Sequence, residues 1–242
     1  MIPEAADRAG DVGMIIPAAG LGERMGGSLR KPFIELEGEP ILFRTCRRLA
    51  SVPGVFEIVV ALHPDDLDFF RDRLWDRALA SGVTLAVAGG ACRAESVWNA
   101  LQVMSARAEL TAVHDAVRPF AAVDTVKALI ALARRRGAAV PVSPMDDTIK
   151  RIEGDRVTET PRRLGLVRVQ TPQVFRSDLL IEAYEYAIRT GGLSANITDD
   201  AQLVEALGAE VAALHGGAFN LKITSASDLR LARALLAAGL AQ

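Results

Sequence analysis

The first residues able to do chemistry stand together in Pro17-Ala18-Ala19-Gly20-Leu21-Gly22-Glu23-Arg24-Met25-Gly26, with Lys31-Pro32 five residues beyond. Small residues leave backbone N–H groups open to close approach, and Arg24 and Lys31 add cationic heads. That combination suits the phosphates of a nucleoside triphosphate, which need donors and positive charge. Two other phosphate loops fit less well. A dinucleotide-binding loop reads G-x-G-x-x-G/A, but here Gly20-x-Gly22 is followed by Met25 at the third small position. A P-loop string, G-x-x-x-x-G-K-[ST], does not occur. The plain alternative is a turn with surface charges.

Further candidates follow along the chain. Gly89-Gly90, with Arg93 and Ser96 shortly after, offers bare backbone; the ordinary alternatives are a turn and a helix N-cap serine. Asp115 and Arg118 lie just past an apolar run, either as a site or as a local ion pair. His114 reads as a packed strand histidine rather than a base. Thr198-Asp199-Asp200 reads as a helix N-cap, and of Arg162 and Arg163 one is expected to be merely solvated. No His/Cys cluster has zinc-site spacing.

These groups must be held by an alternation of short apolar strands and amphipathic helices. Strands are expected at residues 14–16, 56–62, 84–88, 111–114 and 138–142, with helices at 41–51, 65–80, 94–106 and 124–136, the last capped by Gly137. Strands alternating with helices imply βαβ crossovers and a mostly parallel, Rossmann-like α/β sheet flanked by helices. Ile58-Val59-Val60 lacks polar alternation, as expected of a strand covered on both faces. Ligands of such sheets sit outside the carboxyl ends of the strands, so the loops after Ile16, Ala88 and His114 should face one site. Residues 147–152 and 156–160 then read as a hairpin turning at Gly154, within a protruding arm of about 145–168. With so few large apolar residues it must lie on its own body or on a partner subunit. Helices are expected again at 177–190 and 199–207, strands at 210–214 and 220–223, and a last helix from Ser225–Ser227 to 238.

Composition bounds the rest. The 242 residues are 50% hydrophobic and 24% charged, which suits one globular domain; aromatics are 5%, so the core rests on Ala, Val, Leu and Ile. Twenty-eight Lys and Arg against 30 Asp and Glu leave a charge of −2, a poor balance for a nucleic-acid binder. Arg134-Arg135-Arg136 suits a helix C-terminus. No apolar run is long enough for a membrane span. The two cysteines, Cys46 and Cys92, form no disulfide framework and favour a reducing, cytoplasmic setting. Residues 1–12 are expected to be a flexible leader and 13–242 a single domain, with too little chain after Lys222 for a fused second enzyme.

The ordered set of motifs resembles the 2-C-methyl-D-erythritol 4-phosphate cytidylyltransferase family of the non-mevalonate isoprenoid pathway. The first loop with Lys31-Pro32 looks like that family's signature. Gly89-Gly90-x-x-Arg93-x-x-Ser96-Val97, His114-Asp115-Ala116-Val117-Arg118-Pro119, Asp147-Thr148-Ile149-Lys150, Thr171-Pro172-Gln173-Val174-Phe175, Thr198-Asp199-Asp200-Ala201 and Asn220-Leu221-Lys222-Ile223-Thr224 match in order. Ala91 and Cys92 stand where the family usually carries acids, and Leu164 at a commonly polar place.

The resemblance implies a nucleotidyltransferase-type fold with a β-arm, in which the alcohol phosphate attacks the α-phosphorus of CTP and pyrophosphate leaves. It implies that Arg24, Lys31, Arg163 and Lys222 are catalytic. Pro17, Ala18, Ala19, Gly20, Gly22, Gly90, Arg93, Ser96, Asp115 and Ala116 would bind CTP. Asp115, Arg118, Thr148, Arg163, Thr171, Thr198 and Lys222 would hold the alcohol phosphate. It further implies a homodimer in which the arm serves the neighbouring site, and a Mg²⁺-type ion held mainly by triphosphate oxygens, with Asp115 nearby. The partners expected are two small molecules, no nucleic acid and no membrane. A CTP-using relative specific for ribitol 5-phosphate, an NAD-type oxidoreductase and an inactive nucleotide-binding regulator are the alternatives; the missing third glycine argues against the second and the full set of cations against the third.

Overall fold

The computed structural model describes residues 9–20, 31–217 and 219–240, and of Lys31 the backbone only. Strand β1 (Gly10–Ala18) leads through a 3₁₀ turn at Lys31–Phe33 to a small ribbon, β2 (Glu35–Leu36) and β3 (Glu39–Pro40), then to α1 (Ile41–Ala50) and β4 (Gly54–Leu62). After a second 3₁₀ turn come α2 (Leu67–Phe69), a π turn at Phe70–Leu74, and α3 (Trp75–Ala80). Then follow β5 (Leu85–Ala88), α4 (Arg93–Leu101), β6 (Leu110–Val113), α5 (Val123–Arg136) and β7 (Ala138–Pro144). The arm hairpin is β8 (Arg151–Glu153) and β9 (Arg156–Glu159). The chain continues with β10 (Val167–Val169), β11 (Gln173–Arg176), α6 (Ser177–Thr190), α7 (Ala201–Ala206), β12 (Ala212–His215) and α8 (Ala226–Ala237).

One eight-stranded sheet runs β10-β7-β11-β6-β1-β4-β5, with β12 beside β7. Strands β5, β4, β1 and β6 are parallel, as the alternation requires. Strand β11 is antiparallel to both β6 and β7, which makes β7 and its parallel neighbour β12 point the same way as β6. The carboxyl ends of six strands therefore share one edge.

The apolar runs are continuous because both faces are covered. On β4, Ile58, Val60 and Leu62 pack with the α1 and α5 residues Leu42, Leu49, Val126 and Leu129. Val59 and Ala61 face the other way, toward Val97, Ala100, Leu180 and Tyr184 of α4 and α6. Gly137 closes α5 at φ 89°, a left-handed position that favours glycine. Ser225 caps α8 and Asp228 returns the bond, a complete capping box.

Several expectations change. Strand β1 begins at Gly10, so Gly10–Val12 belongs to the sheet and not to a leader; Val12 is fully buried. The single helix at 65–80 is interrupted by the π turn, which turns Phe70 inward (1% exposed) while Phe69 stays half exposed (49%). Helix α4 stops at Leu101. Residues 220–223 form no strand. The Ile223 amide bonds the Val117 carbonyl and the Asn220 carbonyl bonds Arg118, so loop and side-chain partners replace a ladder. Strands β10 and β11 were not anticipated as elements.

Candidate functional site

Along the shared edge lies an open cleft of about 690 Å³. The loops after β1, β5 and β6 all reach it, as expected for a parallel sheet. Pro17, Ala18, Ala19 and Gly20 form one lip. Gly90, Arg93 and Ser96 form a second side, and Asp115, Ala116 and Lys222 a third. Pro32 closes one end. Gly22, Arg24 and the Lys31 side chain lie outside the described residues.

The glycine wall is built by close approach. A Cβ on Gly89 would stand 2.5 Å from the Ala19 Cβ and 2.8 Å from the Ser96 Oγ, so only glycine lets the loops after β1 and β5 meet there. Ser96 is buried and not a surface cap: its hydroxyl accepts from the Gly90 N–H at 3.1 Å and donates to the Cys92 carbonyl at 2.9 Å. Glu95, which no sequence motif singled out, accepts from the Ala91 N–H at 2.7 Å. Cys92 takes the N-cap position of α4.

The opposite wall is cationic around one carboxylate. Asp115 Oδ2 meets Arg118 Nε at 2.9 Å and Lys222 Nζ at 3.0 Å, and Oδ1 lies 4.0 Å from Arg93 Nε. Burial alone would push the Asp115 carboxyl up, but Lys222, Arg93 and Arg118 outweigh it and hold the group well below the usual carboxylate range. The local Asp115–Arg118 pair is therefore present, but it is one part of a four-residue charge cluster.

Behind the cluster, Arg93 is anchored by Asp200 at 2.7 Å. Asp200 also accepts from the Tyr184 hydroxyl at 2.6 Å, and the Tyr184 ring stacks on Trp98. Burial, reinforced by the Asp200 charge, pushes the Tyr184 hydroxyl upward, so it remains a donor. Asp200 thus takes the N-cap position of α7, as expected from Thr198-Asp199-Asp200, but its side chain makes no cap bond. Its carboxylate is spent on Arg93 and Tyr184, and Asp199 instead accepts from the Gln202 N–H at 3.2 Å.

His114 is fully buried. Its Nε2 is 2.9 Å from the Arg118 carbonyl, which can only accept, so Nε2 carries the proton. Nδ1 is then the acceptor for the Thr171 hydroxyl at 3.0 Å, and Thr171 Oγ1 in turn accepts from the Asp115 N–H at 3.1 Å. The Thr171 proton is committed to His114 and its oxygen accepts from the Asp115 N–H, so Thr171 steadies Asp115 from outside the cleft lining. Burial pushes His114 down to about 4 from the ordinary 6.5. The unfolded chain binds the extra proton between those values, so stability is complete above 6.5 and falls as pH drops toward 4. The expected loss is up to about 3 kcal/mol. Urea midpoints measured from pH 7.5 to 4.5 should decline through this window in the wild type and much less in His114→Gln; parallel declines would contradict the assignment.

The remaining predicted residues lie elsewhere. Thr148, Arg163 and Thr198 are exposed and do not line the cleft of their own chain. Arg118 lies behind Asp115, and the Arg163 guanidinium bonds the Asp146 carbonyl. Arg162 is also exposed.

The family model for 2-C-methyl-D-erythritol 4-phosphate cytidylyltransferase matches residues 12–238. A relative of that name from Symbiobacterium thermophilum is 45% identical over 226 residues, covering 93% of this chain and 92% of its own. Another from Solibacter usitatus is 43% identical over 236 residues, covering 93% and 95%. The crystal structure of 2-C-methyl-D-erythritol 4-phosphate cytidylyltransferase from Thermus thermophilus superposes with a TM-score of 0.76 at 38% identity, covering 93% of this chain and 98% of its own.

Proposed function

Since this chain belongs to the 2-C-methyl-D-erythritol 4-phosphate cytidylyltransferase family, its reaction is transfer of CMP from CTP to that alcohol phosphate with release of pyrophosphate, and we propose that the cleft at the strand ends is where it occurs. The observation that carries the proposal is the pairing of a bare backbone wall at Gly90 with a charged wall of Lys222 and Arg93 around Asp115, which Arg118 braces from behind. The base rests against Ala18, Gly90 and Ser96, where the absence of bulky side chains leaves backbone groups to read its edge. The triphosphate follows the lip of Pro17, Ala18, Ala19 and Gly20, and the chain that continues from this lip supplies Arg24 and Lys31. Those two cations stabilise charge as pyrophosphate departs. Lys222 aligns the attacking phosphate as a point charge. A phosphate monoester is already anionic near pH 7, its second pKa being about 6. No general base is needed, and His114, buried and bonded on both ring nitrogens, is not one.

The cleft also fits a divalent ion of the Mg²⁺ type, with limits. Among the described residues Asp115 is the one acid lining it, and no cluster of three ligating side chains occurs. Asp115 Oδ2 is taken by two cations, so Oδ1 is the oxygen left to touch such an ion, with the triphosphate supplying the rest. When bound, the ion offsets phosphate charge.

We further propose a homodimer. The arm leaves Ile152 (65% exposed) and Leu164 (93%) uncovered by its own chain, and Thr148 and Arg163 flank that surface. Both then serve the partner's cleft, with Arg163 binding the alcohol phosphate through its fork of donors. Co-expressing Lys31→Ala with Arg163→Ala should restore turnover to about half of wild type per mixed dimer, or about a quarter over an unseparated population, because one site of each mixed dimer regains both residues. A purified mixed dimer as inactive as its parents would contradict the crossing. The free state of Cys46 and Cys92 supports a reducing, cytoplasmic setting.

The test of function is pyrophosphate release with CTP and a panel of sugar-alcohol phosphates. Turnover should require 2-C-methyl-D-erythritol 4-phosphate and stop in excess chelator, returning with Mg²⁺. Preference for ribitol 5-phosphate would overturn the acceptor, and full turnover in chelator would overturn the metal.

A further inference from the structure

Lys222 sits in a segment without regular secondary structure, so its position depends on what ties that segment down. Two residues earlier stands Asn220, nearly buried and outside the cleft lining. Its Nδ2 donates to the Thr171 carbonyl at 2.7 Å. That contact settles the amide's orientation, since a carbonyl oxygen accepts only. Its own backbone carbonyl accepts from Arg118 Nη1 at 2.8 Å. Arg118 Nε reaches Asp115 Oδ2 at 2.9 Å, and the Asp115 N–H returns to Thr171 Oγ1 at 3.1 Å. The four residues close a ring, Asp115 to Thr171 to Asn220 to Arg118 and back, drawn from three separate loops.

We propose that Asn220 is a positioning residue that sets the approach of Lys222 to Asp115, and through it the alignment of the acceptor phosphate. The proposal rests on the role given above to Lys222. Its physical basis is shared anchorage. The loop carrying Lys222 is fixed on one side by Ile223, whose N–H bonds the Val117 carbonyl at 2.9 Å and whose side chain is buried. On the other side the Asn220 amide ties that loop to Thr171, the residue that also holds the Asp115 backbone. Without that amide, the Lys222 loop keeps its links to Arg118 and Val117 but loses the tie to Thr171, the support it shares with the Asp115 backbone. A displacement of order 1 Å at an aligning group costs up to about 100-fold in rate.

The experiment compares Asn220→Ala, Asn220→Asp and Lys222→Ala in steady-state pyrophosphate release, varying each substrate separately. Asn220→Asp keeps the shape but turns an acceptor toward the Thr171 carbonyl, and it serves if the alanine variant folds poorly. Circular dichroism melts check folding. The expected result for the asparagine variants is kcat lower by about ten- to 100-fold, a raised KM for the alcohol phosphate, and a KM for CTP within about twofold of wild type, the range expected when CTP contacts are untouched. A purely structural residue would lower the melting point and the active fraction while leaving both KM values in place, and that outcome overturns the proposal. So do folded variants with wild-type kinetics. If Lys222→Ala loses turnover while the asparagine variants do not, the role of Asn220 alone fails. If Lys222→Ala retains full turnover, the reading of Lys222 fails with it.

Discussion

Lys222→Ala should turn over at least about 100 times more slowly than the wild type while melting within about 2 °C of it. Both halves follow from where the ammonium sits. Its side chain is 46% exposed, at the cleft's cationic wall, with Asp115 Oδ2 at 3.0 Å. As an ion pair that exposed it contributes little to folding, because solvent screens it and Asp115 keeps Arg118 and Arg93. As a preorganised charge facing the reacting phosphates it contributes far more, since such contacts are worth about 100- to 1000-fold in kcat. Half exposure places the expectation at the lower end. Single-turnover quench-flow with saturating CTP separates the chemical step from release. A variant with an unchanged single-turnover rate contradicts the assignment. Lys222→Arg should recover only part of the loss, because a planar fork does not reproduce a point charge.

Asp115→Asn is expected to damage both activity and stability, in contrast to Lys222→Ala. The carboxylate is buried and shared by three cations, and replacing it leaves them to repel one another. Breaking a buried pair on one side costs about 3–5 kcal/mol. The lower figure applies here, because Arg93 keeps Asp200 and Arg118 keeps the Asn220 carbonyl. About 3 kcal/mol corresponds to a melting-point drop of roughly 6–12 °C for a domain of this size. Turnover should fall by about 100-fold or more, since Lys222 and Arg118 lose the anion that holds them in place. The folded-state carboxyl is depressed, so its contribution is present at neutral pH and is lost only as pH falls below the ordinary carboxylate range. The stability difference between variant and wild type should therefore be constant from pH 8 to 6 and shrink in strong acid. A variant as stable as wild type at pH 7 would show that the three cations are solvated individually.

Much of the fold was legible in the sequence because its cause is local. Consecutive apolar residues at Ile58-Val59-Val60 report a strand covered on both faces, and β4 has that burial. Gly154 at φ 62° turns the arm, Gly137 ends α5, and Ser225 starts α8, each through chemistry confined to a few neighbours. The boundaries that moved depend on more distant partners. The π turn in the 65–80 segment follows from Phe70 joining Phe33, Phe43 and Trp75 in one aromatic cluster. Strand β11 exists because β6 and β7 offer it two antiparallel edges.

The site divides in the same way. Backbone-exposing glycines, the ends of apolar runs and the order of motifs are one-dimensional features, and they located the cleft lip, the Gly89-Gly90 wall and the Asp115 loop. The division of labour among polar groups was not one-dimensional. Arg93 finds Asp200 across 107 residues, Arg118 finds Asn220 across 102, and Asp115 finds Thr171 across 56. A buried polar group must be paired, but nothing in its neighbourhood along the chain states with whom. The sequence by itself therefore determined an α/β sheet with glycine-bearing loops gathered at one edge. Only the tertiary structure decided that Thr171 serves His114 and Asp115, that Asp200, at the N-cap position of α7, spends its carboxylate on a cation and a tyrosine, and that Asn220 joins the loops supporting Lys222.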